Sequence, residues 1–190
     1  MQYLGHVVLA LIAATFSQEA TGFDASKIDI ANTGKFIPYR IMEIDAGPVV
    51  GNMLNAHYFP GIDFYSGGRY KEAEPQFTYV IERSRYLEAN PRQAEFMSTA
   101  HYLRGMIYFY HATGIGRLSI AKQDFEAALQ WNPRNYIVLL ELSRLYSGLG
   151  YHEQASSILR HLLDLKPDEE IARQAQIDLD TITLKRSNRD

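Results

Sequence analysis

The sequence predicts an all-α fold in which about three helix–turn–helix repeats follow one another along residues 51–167. The first observation is a recurring glycine, followed by alanine at offset +5 and by phenylalanine or leucine at offset +9. The second is a proline that closes each repeat, because proline cannot continue a helix. The glycines are Gly68, Gly116 and Gly150, and the prolines are Pro91, Pro133 and Pro167. Such self-similarity is typical of repeat proteins.

The composition is that of a globular chain of 190 residues, with 46% hydrophobic residues, 19 Lys and Arg, 22 Asp and Glu and no cysteine. This hydrophobic content is too high for intrinsic disorder, and no basic block supports a nucleic-acid partner. Without cysteine, disulfides, thiolate metal sites and cysteine nucleophiles are excluded. The aromatic fraction of 12%, with 13 Tyr, indicates large contact surfaces with polar tips.

Residues 1–23 read as a signal-like or anchoring apolar segment. The uncharged run Val7–Phe16 resembles the hydrophobic region of a secretory signal, although the first six residues contain no Lys or Arg. Widened to residues 3–16, the run gives only about 21 Å of helix, which is short of a membrane span. We expect the protein to be exported, periplasmic or extracellular, or associated with a membrane through residues 3–16. The alternative is a buried N-terminal helix or docking arm.

Residues 24–50 predict an extended or short β segment. Isolated isoleucines alternate here with helix breakers, which are Asn32–Thr33–Gly34, Pro38 and Gly47–Pro48. Such breakers prevent a long helix and suit short extended pieces or a hairpin. An extended linker lying over the next domain explains the same pattern.

Each repeat has residues whose size suits a pair of crossing helices. The glycine at the turn favours a positive φ angle, the alanine permits a close helix crossing, and the larger residue fills the space between repeats. The structural repeat positions are Gly68, Ala73, Phe77, Gly116, Ala121, Phe125, Gly150, Ala155 and Leu159. The repeats span about 51–91, 92–133 and 134–167. The first helix of the second repeat is one turn too long, and the second helix of the first repeat is expected to continue almost to Pro91.

This pattern resembles the tetratricopeptide repeat (TPR) family. The alanines at 121 and 155 are 34 residues apart, as are the prolines at 133 and 167, and 34 is the period of that family. The resemblance covers residues 50–167 and implies a short right-handed solenoid. Residues 168–190 follow as a capping helix and tail, with acidic residues at the helix start and Lys185–Arg186 near its end.

The resemblance also implies that the first helix of each pair lines a concave groove. Helical periodicity places these partner-binding candidates there: Tyr58, Phe59, Ile62, Tyr65, Tyr102, Leu103, Met106, Phe109, Tyr110 and Arg144. Such a surface suits an apolar or amphipathic peptide or helix. The alternatives are that this stripe is core, or that residues 1–50 fill the groove. Family members that grip a C-terminal carboxylate use basic residues on this face, and the matching positions here, such as Ile137 and Glu141, are not basic.

Catalytic motifs are missing from the sequence, so we expect no enzyme, no cofactor and no metal site. His57 and His101 occupy equivalent places in consecutive repeats and are expected to be packed or hydrogen-bonded histidines rather than metal ligands. The leading hypothesis is a non-catalytic adaptor, or an assembly factor of a larger envelope-associated complex, that binds a protein partner. The alternative is a self-assembling structural subunit of a filament, tubule or shell, and a small-ligand module is a third, weaker option.

Overall fold

The structure is a computed structural model that describes residues 48–83 and 91–187, and all its regular elements there are helical. The elements are α1 Pro48–Ser66, α2 Tyr70–Glu82, α3 Pro91–Met106 with its π-helical continuation Ile107–His111, α4 Arg117–Trp131, α5 Tyr136–Gly148, α6 His152–Asp164 and α7 Glu169–Ser187. The predicted all-α class is confirmed over these ranges. The predicted N-terminal segment and residues 24–47 of the predicted arm lie outside the described residues.

Two helix boundaries differ from the sequence prediction. Helix α1 begins at Pro48, inside the predicted arm, because proline suits the first position of a helix. Helix α2 ends at Glu82 instead of continuing toward Pro91, and the Arg83 N–H caps the carbonyls of Val80 and Ile81. Pro91 is the first residue of α3, so it opens the next helix, whereas the sequence pattern predicts that it closes the previous repeat.

The described helices belong to two compact units that divide within α5, after Val138. In the N-terminal unit, which comprises described residues 48–138, α1 pairs with α2 and α3 pairs with α4. Gly61 and Gly105 allow these pairs to approach closely, since a Cβ at either glycine would lie within about 3.0 Å of a phenylalanine ring of the second helix. Gly68 and Gly116 form the turns with φ of 72° and 85°. The core of this unit includes the fully buried Ala73, Phe77, Ala121 and Phe125.

The extra turn of the second repeat is absorbed by a π-helix and a loop. Helix α3 widens over residues 107–111, and the Ala112 N–H donates to the Ile107 carbonyl at 2.7 Å. The Arg117 guanidinium donates to the carbonyls of Phe109 at 2.5 Å and Tyr108 at 3.3 Å, so these two carbonyls near the end of the π-helix are satisfied. The loop 112–116 then reaches the turn at Gly116.

The C-terminal unit comprises described residues 139–187. Helices α5 and α6 meet at a turn where Gly150 has φ of 86°, and Tyr146, Ala155 and Leu159 are fully buried. Helix α7 packs with α6 and buries Ala175 and Ile182. None of the helices in the described ranges has the length and apolar character needed to cross a membrane.

Candidate functional site

Most of the aromatic and apolar side chains predicted to line a groove lie in the interior of the N-terminal unit. The buried members are Tyr58, Ile62, Tyr65, Tyr102, Leu103, Met106 and Phe109. Phe59 and Tyr110 are half-buried. The side chains of these seven residues are buried in this structure, and partner binding by them stays a prediction.

The buried rings pack against phenylalanines of neighbouring helices. The Tyr58 ring centroid lies 4.1 Å from that of Phe96 and 6.5 Å from that of Phe77. Phe125 similarly lies 6.3 Å from Tyr102 and 6.1 Å from Phe109. These contacts make the stripe a packing surface between helices. Periodicity alone identified the face correctly as apolar, but it does not distinguish a lined groove from an interior.

Two rings of the predicted groove set, Phe59 and Tyr110, keep part of their surface exposed. The half-buried Phe59 ring packs edge-on against Tyr58 at 5.7 Å, so its outer part remains available. Tyr110 belongs to the π-helix, where its ring lies 4.3 Å from Phe109 and 6.3 Å from His111. These two residues are the predicted site members that combine aromatic surface with partial exposure.

A polar network that sequence reasoning missed centres on Asp124, whose side chain is only 2% exposed. The Arg104 Nε and Nη2 atoms donate to the two carboxylate oxygens of Asp124 at 2.8 Å each, and His101 Nδ1 lies 2.9 Å from Oδ1. The equivalent pair in the first repeat is His57 and Gln76, with Nδ1 2.7 Å from Oε1. The sequence contains a signal for these equivalent partners of the two histidines, because Gln76 and Asp124 both stand eight residues after the turn glycine.

The network continues from α3 to α2. Arg104 Nη1 donates to Thr78 Oγ1 at 3.0 Å, and the hydroxyls of Thr78 and Tyr108 donate to Glu74 Oε1 at 2.7 and 2.9 Å. Burial lowers the pKa of Arg104, but the hydrogen bonds and charge of Asp124 outweigh it and hold that pKa above its ordinary value. Burial and the bond to Glu74 raise the pKa of Tyr108. These charges are held in paired, hydrogen-bonded states that fix helix packing.

His57 and His101 are each hydrogen-bonded, His57 to Gln76 and His101 to Asp124. Within the described ranges, no group of three or more His, Asp or Glu side chains is placed to hold a metal ion.

In the C-terminal unit, the predicted site residue Arg144 is held by two carboxylates. Its Nη1 donates to Glu141 Oε1 and its Nε donates to Asp178 Oδ2, each at 2.8 Å. Asp178 also accepts a bond from Gln174 at 2.9 Å. Arg144 therefore ties α5 to α7, and this pairing neutralises most of its capacity to attract an acidic partner.

Comparisons with known proteins agree with this geometry. The family model described as tetratricopeptide repeat matches residues 116–177. Among solved structures, the first TPR of Spaghetti (RPAP3) bound to the HSP90 peptide SRMEEVD is 17% identical and covers 77% of this chain and 98% of that chain, with a TM-score of 0.57. The second TPR domain of human RPAP3 in complex with the HSP70 peptide SGPTIEEVD is 20% identical, covers 70% and 97%, and has a TM-score of 0.53.

A search of curated proteins found no significant match. The structural likeness, at these identities, shows the fold, and the family model places the repeat signature in the sequence itself. The paired helices, their left-handed glycine turns and both comparisons lead to one assignment. The described helices have the TPR fold, and residues 116–177 match the tetratricopeptide repeat family.

Proposed function

We propose that this protein is a non-catalytic adaptor, or an assembly factor of a larger complex, that binds a protein partner. The fold supports the proposal, since two of the similar TPR domains are described as bound to peptides of HSP90 and HSP70. The observation that carries it is that two aromatic rings of the first helices, Phe59 and Tyr110, are only half-buried, whereas the other rings predicted for the groove are buried. Accessible aromatic side chains are preferred anchors in protein interfaces.

The partner surface we propose is apolar or amphipathic, in contrast to an acidic chain terminus. TPR proteins that bind a C-terminal carboxylate have basic groups at certain positions of this face. The residues at the matching positions here are Tyr58, Ile62, Leu103, Ile137 and Glu141. Glu141 is itself an acid and is paired with Arg144. An acidic tail such as those of the HSP90 and HSP70 peptides would therefore find no free basic clamp at these positions.

The experiment is a quantitative pull-down with the double variant Phe59→Ala, Tyr110→Ala. Loss of two aromatic anchors should weaken binding by about 10-fold or more, because such residues cost over 1 kcal/mol each when truncated. The matched control is Tyr79→Ala, which truncates a half-buried ring on the second helix α2. Circular dichroism should show that both variants fold. Unchanged binding by the double variant would move the site to another face or to residues 24–50.

We propose an envelope-associated setting for this adaptor, supported by the apolar run Val7–Phe16. The run lies outside the described residues. N-terminal sequencing of the mature protein, with fractionation of the native cells, tests this part. A mature chain that begins at Met1 and fractionates with the cytosol would refute it.

The alternative function is a self-assembling structural subunit. Association between copies, which such an assembly requires, is favoured by Ile177 and Leu184, two apolar side chains exposed on α7. A filament, tubule or shell would grow with protein concentration, which sedimentation measures directly. The adaptor proposal predicts no species larger than a small closed oligomer.

A further inference from the structure

Helix α7 has an inner face and an outer face of different character. Ala175 and Ile182 are buried on the inner face, whereas Ile177 is 49% exposed and Leu184 is 65% exposed. A separation of seven residues places Ile177 and Leu184 on the same side of the helix. The exposed charges Arg173 and Asp180 flank them on this outer face.

The outer face of α7 cannot be covered by another helix packed as closely as the helices within the first two repeats. The alignment of the repeats gives the reason. Ile177 stands 34 residues after Ser143, and the residues at this position in the preceding repeats are Gly61 and Gly105. At the two glycines even a methyl group would meet a phenylalanine ring of the second helix at 3.0 or 2.7 Å. Isoleucine is too large for that approach, so any helix covering Ile177 must pack at a wider distance.

The charges on α7 would complement those of a second α7 that runs in the opposite direction. Arg173 lies four residues before Ile177 and Asp180 lies three residues after it, and both side chains are exposed. Two copies of α7 packed antiparallel with Ile177 at the centre bring Arg173 of each copy close to Asp180 of the other. Their helix dipoles are then also antiparallel.

We propose that two copies of this chain pair through the outer faces of α7, antiparallel, with Ile177 packed against the partner's Ile177. Leu184 covers the first turns of the other copy's α7. The contact is isologous and closes on itself, so it yields a dimer and no filament. With two exposed apolar side chains per copy, the dimer is weak, and dissociation is expected at about 10–100 μM. The inference does not depend on the proposed adaptor function.

Sedimentation equilibrium of the full chain tests the contact. Wild type should show a monomer–dimer equilibrium, and Ile177→Glu with Leu184→Glu should weaken it by at least about 10-fold. Both side chains are exposed, so folding should be unaffected. The control is Ile115→Glu, because Ile115 is apolar and 110% exposed but lies in the loop 112–116. A wild type that stays monomeric to about 1 mM, or a double variant that dimerises as wild type does, would overturn the proposal.

The absence of cysteine makes the orientation directly measurable. Under mild oxidation, Ile177→Cys should form a disulfide with itself, since antiparallel packing brings the two positions together. Leu184→Cys should not link to itself but should link to Glu170→Cys when the two variants are mixed. Self-linking of Leu184→Cys together with no self-linking of Ile177→Cys would refute the antiparallel geometry.

Discussion

Replacing Asp124 by alanine removes the carboxylate at the centre of the polar network between α3 and α4. Asp124 is 2% exposed and accepts two bonds from Arg104 and one from His101, all within 2.9 Å. The variant would leave the Arg104 guanidinium, which is 17% exposed, without its counter-charge. Removing one partner of a buried ion pair typically costs 3–5 kcal/mol.

The lower end of that range applies here, because Arg104 reaches solvent in part and keeps its bond to Thr78. We therefore expect Asp124→Ala to lower the free energy of unfolding by about 3 kcal/mol, or Tm by about 6–12 °C in a chain of this size. Asp124→Asn should cost less, since an amide of the same shape still accepts from Arg104.

Differential scanning calorimetry with urea unfolding measures both quantities. The matched control is Arg173→Ala, which breaks an exposed ion pair with Glu170 on α7. Exposed pairs contribute little, so its Tm should equal that of wild type within error. If Asp124→Ala is destabilised by less than about 1 kcal/mol, the network does not hold the helices together and the reasoning fails.

Three further predictions concern backbone fit and pH. Gly105→Ala should lower stability by about 1–3 kcal/mol in urea unfolding, and more than Gly61→Ala, because its added Cβ would lie closer to the opposing ring, at 2.7 against 3.0 Å; equal effects would contradict the packing. Lys166→Gly should raise stability by about 0.5–1 kcal/mol, since Lys166 has φ of 54°, and a lower Tm would count against this. Burial lowers the pKa of His111, which stacks on Tyr70 at 3.6 Å, so the unfolded chain binds its proton first as pH falls. Stability should therefore decline below about pH 6.5, and His111→Phe should make that decline shallower, as thermal melts from pH 7 to 5 would show.

The positions of the helix pairs were predictable because their signals are local. A glycine turn, an alanine five residues later and a large apolar residue nine residues later specify a hairpin of helices wherever they occur. The same local signals led to an error at the end of α2. The pattern predicts Pro91 as a terminator, but proline serves equally well as the first residue of a helix, and only the structure distinguishes the two uses.

For the candidate site, the sequence predicted which side of the first helices is apolar, but not which side chains on that side are accessible. Periodicity placed Tyr58, Phe59 and Tyr102 on one side of the first helices, and the structure buries two of these three rings between helices. Whether an inward-facing residue contacts a partner or its own core depends on which helices surround it. That arrangement is set by contacts between residues far apart in the chain.

By itself the sequence determined the repeat period, the turn positions and the all-helical class, since each depends on residue types at short, fixed separations. The tertiary structure decided which aromatic rings remain accessible, how the extra residues of the second repeat form a π-helix held by Arg117, and that Asp124 pairs with Arg104 across 20 residues. The physical reason is that burial and ion pairing are properties of neighbours in space. A pattern along the chain specifies those neighbours only through the fold that it builds.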